Sequence, residues 1–550
     1  MTGAAAGFDR VAGLARLRDE TFDVLIIGGG ITGAGVALDA ASRGLRTALV
    51  ERDDFASGTS SKSSKLVHGG LRYLQQREYR LVYENLRERQ LLLDNAPHLV
   101  HHLPFLIPLF GRNGVVNKAT AKAYRSALVL YDATGGVRIG KRHQRVSKQQ
   151  ALKHLPTLDA DLLTAAFLYH DAAADDARLT LAVVRTAVVD HGAVAVNHAG
   201  VTSLFVDDGV VHGALLEDGT VVRASVVVNA AGVWSDEVRT MAEGRDPDSI
   251  RPAKGIHITV PAQKLPCDIA AVVPVPGDRR SVFVVPWGDF TYVGTTDTDY
   301  QGDIDDPQVT PDDVAYCLRA INAWFSRQLE PADVTSTWAG LRPLVKDEAR
   351  VRTADLSRRH NVAVSDQGLI TITGGKLTTY RKMGQDTVDE VGRRLKRRLP
   401  RSRTARIAIR GAEGYSTLGE PGAAAALGVD AAVLAHLAGR FGGEARALVA
   451  MMAADPSLAQ PLVPGLPYLR AEAVYAARYE MATTVEDVLS RRTRALLEHR
   501  EASAAAAADV ARLLAGELGW SDEQTEASAE AYITLARRES SAAGLGLHTA

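Results

Sequence analysis

Cysteine is nearly absent from this 550-residue chain, which holds only Cys267 and Cys317. Two thiols in so long a sequence build no disulfide framework and match no metal-ligand spacing, so no metal is expected and a reducing, cytoplasmic setting is. Charge of one sign is lacking too. The 64 Lys and Arg stand against 65 Asp and Glu, a formal net charge of −1, which gives no whole-molecule field to gather nucleic acid or anionic lipid. Aromatics make up 6%, a poor supply of stacking platforms, and no nucleic-acid partner is expected. No stretch reaches the ~20 apolar residues of a membrane-spanning helix. Asp9, Arg10, Arg16, Arg18, Asp19 and Glu20 leave no room at the N-terminus for the apolar core of a signal sequence. A place on a membrane surface stays open, and local patches would have to carry it. What remains is an ordinary globular composition, 46% hydrophobic and 23% charged, in a chain long enough for at least two structural units.

The first of these units is of the α/β class. Asp23-Val24-Leu25-Ile26-Ile27 reads as a short buried strand, Val36 to Ser42 as an alanine-rich helix ending near Gly44, and Thr47 to Glu51 as a second strand. Between the first strand and the helix stands Gly28-x-Gly30-x-x-Gly33. The first glycine permits a tight turn, the second lets backbone approach a pyrophosphate, and the third lets the helix pack closely on the strand. The helix N-terminus then faces the phosphate charge. Glu51 ends the second strand, where a carboxylate accepts hydrogen bonds from a ribose diol and disfavours a 2′-phosphate.

Further along, Leu179 to Val189 reads as a helix leading into the strand Ala193 to Val196. Three short strands follow, broken by Asp207-Asp208-Gly209 and Asp218-Gly219, which are hairpin turns because glycine accepts positive φ. The meander returns to Asn229-Ala230-Ala231-Gly232. That return resembles flavoproteins of the glutathione-reductase type, whereas a plain NAD domain would continue with strand–helix units, so the expected ligand is FAD. A helical pattern takes Tyr79, Leu81, Val82, Leu86 and Leu91 to Leu93 as its apolar positions, and 281–293 reads as a hairpin bending at Trp287-Gly288-Asp289. Leu103 to Phe110 reads as a buried strand in preference to a bilayer or quinone contact. Residues 392–406 carry eight Arg or Lys and no acid, and the chain beyond is alanine-rich with helical spacing. A boundary is placed near 390, and the basic run is read as a solvated helix end and linker before an anionic-lipid patch.

Gly58-Thr59-Ser60-Ser61-Lys62-Ser63-Ser64-Lys65-Leu66-Val67-His68-Gly69-Gly70-Leu71-Arg72-Tyr73 packs hydroxyls, cations and a histidine into 16 residues. This string resembles that of the FAD-dependent, quinone-linked glycerol-3-phosphate dehydrogenases, in the D-amino-acid-oxidase-like flavoprotein superfamily. Asp175-Asp176-Ala177-Arg178-Leu179, Lys254-Gly255-Ile256-His257, Gly294-Thr295-Thr296-Asp297, Gly340-Leu341-Arg342-Pro343-Leu344 and Gly374-Gly375-Lys376-Leu377-Thr378-Thr379-Tyr380-Arg381-Lys382 agree in the same order. Together they span 23–382, about two thirds of the chain, and the helical C-terminal region is similar to the family's cap.

The resemblance implies a Rossmann-type FAD-binding domain over 20–390, an interleaved antiparallel-sheet substrate domain roughly at 78–165 and 245–335, and an all-α cap over 391–550. It implies oxidation of sn-glycerol 3-phosphate to dihydroxyacetone phosphate by hydride transfer from C2, with a membrane quinone as acceptor, peripheral contact with the inner face of the cell membrane, and a homodimer. Gly28, Gly30, Gly33, Glu51, Thr59, Ser60, Ser63, Ser64, Lys65, Gly69, Gly70, Val201, Ala230, Gly232, Gly375, Lys376, Leu377 and Thr378 are expected to hold the cofactor. A base for the C2 hydroxyl needs a pKa near working pH, which points to histidine. His68 is the first choice and His257 the alternative, with a hydrogen-bonded structural histidine the competing reading of either. Arg72, Tyr73, Arg342 and Lys376 are the expected substrate ligands, because bidentate arginine suits phosphate. Lys376 also suits negative charge at a reduced flavin, and Arg358 is a weaker candidate. An oxidase releasing peroxide, an RNA-binding flavoprotein and a non-catalytic FAD-stabilised protein are the competing functions.

Overall fold

The computed structural model describes residues 8–75, 78–111, 118–278, 280–346 and 360–546. Arg358 lies outside them, as does the side chain of Arg72.

Two sheets organise the first two thirds of the chain. The first runs Asn361–Val364, Ile370–Thr373, Val221–Asn229, Thr21–Ile27, Thr47–Val50, Val194–Val196, and all but the first of these strands are parallel to their neighbours. Val201–Asp207 and Val210–Leu216 join it as the antiparallel meander that the hairpin turns predicted. Val24 to Ile27 are all buried because successive side chains point to opposite faces, and both faces are covered. Val24 and Ile26 pack on the helices Ile31–Ser42 and Asp176–Arg185, while Leu25 and Ile27 pack against the meander and Leu17 of the helix Arg10–Asp19.

Among the described residues the second sheet has ten strands, with Val100–Phe110, Leu163–Ala174, Ile250–Pro261 and Ser336–Val345 as its long members. It extends past the expected limits 78–165 and 245–335. Leu66–Val67 pairs with its edge, Leu163–Ala174 continues to residue 174, and Ser336–Val345 lies along Ile250–Pro261 from Ile250↔Val345 to Thr259↔Ser336. Leu103–Phe110 is a buried strand here: Phe105 and Ile107 face one core and Leu106 the other. The face carrying Phe105 is covered by the helix Tyr79–Asn95 and by helices of the C-terminal region, including Val485, Leu489, Leu496 and Val510. Tyr79 does not belong to that apolar stripe. It is 46% exposed at the first position of its helix, where the core does not reach.

One helix crossing sets the geometry of the site. Tyr380–Arg394 packs on Ile31–Ser42 so tightly that a Cβ on Gly384 would fall 2.4 Å from the Gly35 carbonyl oxygen. Glycine at both positions brings the loop Gly374–Leu377 beside the N-terminus that follows Gly28 and Gly30.

Candidate active site

The groove at the carboxyl ends of the parallel strands is lined by Gly28, Gly30, Ile31 and Glu51 at one end and by Gly374, Gly375, Lys376 and Leu377 at the other. Val201, Ala230 and Gly232 form the wall between, and Thr59 and Ser60 lie across it. Gly28 has φ of +111°, and a Cβ on it would sit 2.7 Å from the Ala230 carbonyl oxygen. Gly33 approaches still closer, its added Cβ falling 1.9 Å from the Gly28 oxygen. No side chain of its own caps the helix Ile31–Ser42. Ser60 Oγ accepts the Ile31 N–H at 2.9 Å instead, so loop and helix start share one phosphate-sized corner. Glu51 accepts the N–H groups of Gly29 at 2.5 Å and Asp53 at 3.0 Å, and burial raises its carboxyl above the ordinary range. Helix N-terminus, buried carboxylate and close-packed glycines form a cradle whose donors and acceptors fit a dinucleotide.

The serine–lysine loop runs from this groove across the second sheet. Thr59 Oγ1 donates to the Leu341 carbonyl at 2.5 Å. Ser63 and Lys65, expected to hold the cofactor, turn their polar atoms inward to Asp176. Its Oδ2 accepts from Ser63 N and Oγ, and its Oδ1 accepts from Lys65 Nζ at 2.9 Å. Buried beside Arg494, the Lys65 ammonium is pushed down to about 8. Ser64 is within 2.9 Å of His257 Nε2 through its Oγ, and its carbonyl accepts the Tyr292 hydroxyl. His257 lies flat on Trp338, ring centroids 4.6 Å apart, with Tyr292 edge-on. Burial holds its imidazole well below the ordinary histidine value, and the charges of Lys65 and Arg342 push the same way. It is therefore neutral at pH 7.

His68 follows the two-residue strand Leu66–Val67 and is half-buried. Its neighbour Gly69 is held from outside the loop. The Gly69 N–H donates to Tyr131 and Asp171, its carbonyl accepts from Asn85, and Arg89 donates to the same Asp171 at 2.6 Å. Gly70, with φ of +80°, lies under Lys376 Nζ, which sits 3.9 Å above the centre of the Tyr73 ring. Arg342 is anchored by Thr295 Oγ1, the Thr296 carbonyl and Asp297. Pairing of Ala253 with Arg342 places its strand alongside the one that bears His257. The structure thus brings Ser64 to His257, sets Arg342 on the neighbouring strand, and brings Gly70 and Tyr73 to Lys376. Thr378 is buried beyond them.

Asp176, Trp338 and Tyr292 were not singled out as site residues. Asp176 and Trp338 sit within or beside motif strings already noted, but only the fold shows that one holds the loop and the other seats His257. Among the described residues, Asp54, His198 and Asp487 bring three metal-ligating atoms together. Arg491 and Arg492 already ion-pair with these carboxylates, so the cluster is a charge network and not a metal centre.

The description "FAD dependent oxidoreductase" belongs to a family whose pattern matches residues 23–381. The chain is a member of that family. FAD is its cofactor, and its donor set agrees. Residues 402–525 match the C-terminal domain of alpha-glycerophosphate oxidase. The glycerol-3-phosphate dehydrogenase 2 of Mycobacterium tuberculosis is 40% identical over 539 residues, covering 96% of this chain and 90% of that one. The mitochondrial glycerol-3-phosphate dehydrogenase of Mus musculus is 38% identical, covering 91% and 71%. A crystal structure of the glycerol-3-phosphate dehydrogenase from Bacillus halodurans complexed with FAD superposes with a TM-score of 0.78 at 34% identity, over 96% of this chain and 97% of that one. This flavoprotein therefore shares its fold with that enzyme along nearly its whole length.

Proposed function

We propose that this flavoprotein oxidises sn-glycerol 3-phosphate to dihydroxyacetone phosphate and hands the electrons to a membrane quinone. The observation that carries the reading is Lys376, which lines the dinucleotide groove and lies over Tyr73, together with Arg342 on the strand beside the one that bears His257. FAD held by Gly28, Gly30, Gly33, Glu51 and the Gly374–Leu377 loop supplies the acceptor for the C2 hydride. The chain's own residues do the rest. Arg342, anchored on the Thr295–Asp297 turn, is a preset fork for the substrate phosphate. Lys376, half-buried over Tyr73, adds positive charge at the reacting end. His68 takes the hydroxyl proton. His257 is the weaker base, since its depressed affinity for a proton lowers the driving force for abstraction. It orients Ser64 and the loop instead.

Peripheral membrane contact is supported by one face. Tyr79, Tyr83, Val129, Leu130 and Val137 are exposed there, with Arg138 stacked 4.6 Å over the Tyr83 ring. Aromatic and aliphatic groups interleaved with cations suit an anionic bilayer surface. Among the described residues no helix is long and apolar enough to cross a membrane.

The test is anaerobic bleaching of the bound flavin's visible absorption by glycerol 3-phosphate, set against glycerol and D-amino acids. Bleaching by the phosphate ester alone is expected, and equal bleaching by glycerol refutes the phosphate assignment. Under air without added quinone, peroxide should form well below one equivalent per substrate. Stoichiometric peroxide makes the enzyme an oxidase.

A further inference from the structure

The helical C-terminal region reaches the chemistry through one short stretch. Arg494, fully buried, donates from Nη2 to the Ser61 carbonyl at 2.6 Å and to Asp176 Oδ1 at 3.0 Å. Lys65 Nζ bonds the same two oxygens. The start of the serine–lysine–histidine loop is therefore tied to the C-terminal region and to the helix Asp176–Arg185 at one point. Three consecutive carbonyls then accept from the second sheet. Ser336 Oγ donates to Leu496, Thr259 Oγ1 to Leu497 at 2.7 Å and Thr335 Oγ1 to Glu498 at 2.7 Å. Arg500 closes the row with a 2.6 Å bond to the Thr337 carbonyl.

These anchor points are not scattered. Thr259 lies two residues from His257 and Ser336 two residues from Trp338, so each anchor shares a sheet face with a member of the stacked pair. His257 in turn meets Ser64, and Trp338 Nε1 donates to the Ser63 carbonyl at 3.2 Å. One stretch of seven residues, 494–500, thus fixes the loop from one side and its seat from the other.

We propose that residues 494–500 form a clamp that positions the active site, with Arg494 as its principal positioning residue. The clamp sets where the loop between Ser61 and Gly69 lies relative to the His257–Trp338 platform, and so where His68 meets substrate. Arg494 is fully buried and acts through Ser61 and Asp176. The proposal rests on the reading of His68 as the base in glycerol 3-phosphate oxidation. A displacement of about 1 Å in a catalytic group costs on the order of 10²-fold in rate.

The experiment uses the full-length holoenzyme with Arg494→Gln, Arg494→Lys, and a double variant Ser336→Ala/Thr259→Val that removes two anchors on the opposite side. Bound FAD per chain, the KM for glycerol 3-phosphate, the anaerobic flavin-reduction rate and its pH profile are measured. Arg494→Gln is expected to keep its FAD and a KM within about threefold, while reduction slows about 10- to 100-fold and the pH profile moves. Arg494→Lys should recover part of the rate, and the double variant should slow reduction with the same KM-against-kcat split. Should Arg494→Gln fail to fold, the double variant decides. FAD-replete variants reducing at the wild-type rate with an unmoved pH profile overturn the clamp, as does a loss of rate that follows FAD content alone. A wild-type flavin that glycerol 3-phosphate does not bleach overturns the functional reading itself, and is distinguished from failure of the clamp by the wild-type arm.

Discussion

Gly33→Ala tests the cofactor site through geometry alone. The added methyl would stand 1.9 Å from the Gly28 carbonyl oxygen and 3.1 Å from its carbon, and real Cβ atoms keep at least 3.0 Å. The clashing oxygen is backbone, so no rotamer change relieves it. The helix Ile31–Ser42 must move about 1 Å from the turn it follows. Its far side offers no slack, because the Gly35–Gly384 crossing is already at backbone contact. Overpacking of this kind costs about 1–3 kcal/mol, and the distortion falls on the N–H groups that face the pyrophosphate. FAD affinity should weaken by about one to two decades. Gly44→Ala is the control. It puts a side chain at a φ of +84°, a backbone strain that Gly33→Ala does not carry, but the space there is open. Kd from flavin fluorescence, with melting temperatures measured at fixed excess FAD, separates the two. A Gly33→Ala protein binding FAD within threefold of wild type would refute the reasoning, and so would equal losses in both variants.

Three further outcomes are expected. Arg342→Ala should lower kcat/KM for glycerol 3-phosphate by about 10²–10³-fold, the loss of a charge-assisted fork on phosphate, leaving FAD bound; near-normal steady-state kinetics would remove Arg342 from the phosphate site. Glu88→Gln leaves the buried Arg381 guanidinium without the carboxylate that binds it at 2.6 and 2.7 Å. Denaturant unfolding should show a loss of about 3–5 kcal/mol, largely recovered in Glu88→Gln/Arg381→Met. Burial holds the His98 imidazole down to about 4, against 6.5 in the unfolded chain, so the unfolded state binds the extra proton. Stability should fall by up to about 3 kcal/mol as pH drops through 6.5 to 4, and His98→Leu should flatten that slope in urea titrations.

The cofactor cradle was legible because its constraints are local. Gly28, Gly30 and Gly33 answer to one turn, and Glu51 ends the strand beside it, all within one strand–helix–strand unit. The meander was legible for the same reason, its turns being written in Asp-Gly pairs. The limits of the second sheet were not, since Ser336–Val345 joins it by pairing with a strand some 80 residues earlier, and nothing in its own residues names that partner. The seat of His257 depends likewise on Ser64, which lies in one motif string, and Trp338, which lies just ahead of another.

The C-terminal region is the instructive case. By composition it is an alanine-rich set of helices, and an arginine on such a helix ordinarily reads as solvated charge. Yet Arg491, Arg492 and Arg494 are buried between Val488-Leu489 and Ala495-Leu496-Leu497. A guanidinium cannot lose water without an anion in exchange, so three arginines inside an apolar run imply carboxylates brought from elsewhere. Arg491 meets Glu486 and Asp487 nearby, but Asp54, which binds Arg491 and Arg492, and Asp176, which binds Arg494, stand next to the cofactor loop in space and 437, 438 and 318 residues away in sequence. Arginines buried in such an apolar run are thus a sign, readable in sequence, that the region docks on an acidic partner surface. What the sequence withholds is which acids they meet, and it is that pairing which ties the cap to the loop bearing His68.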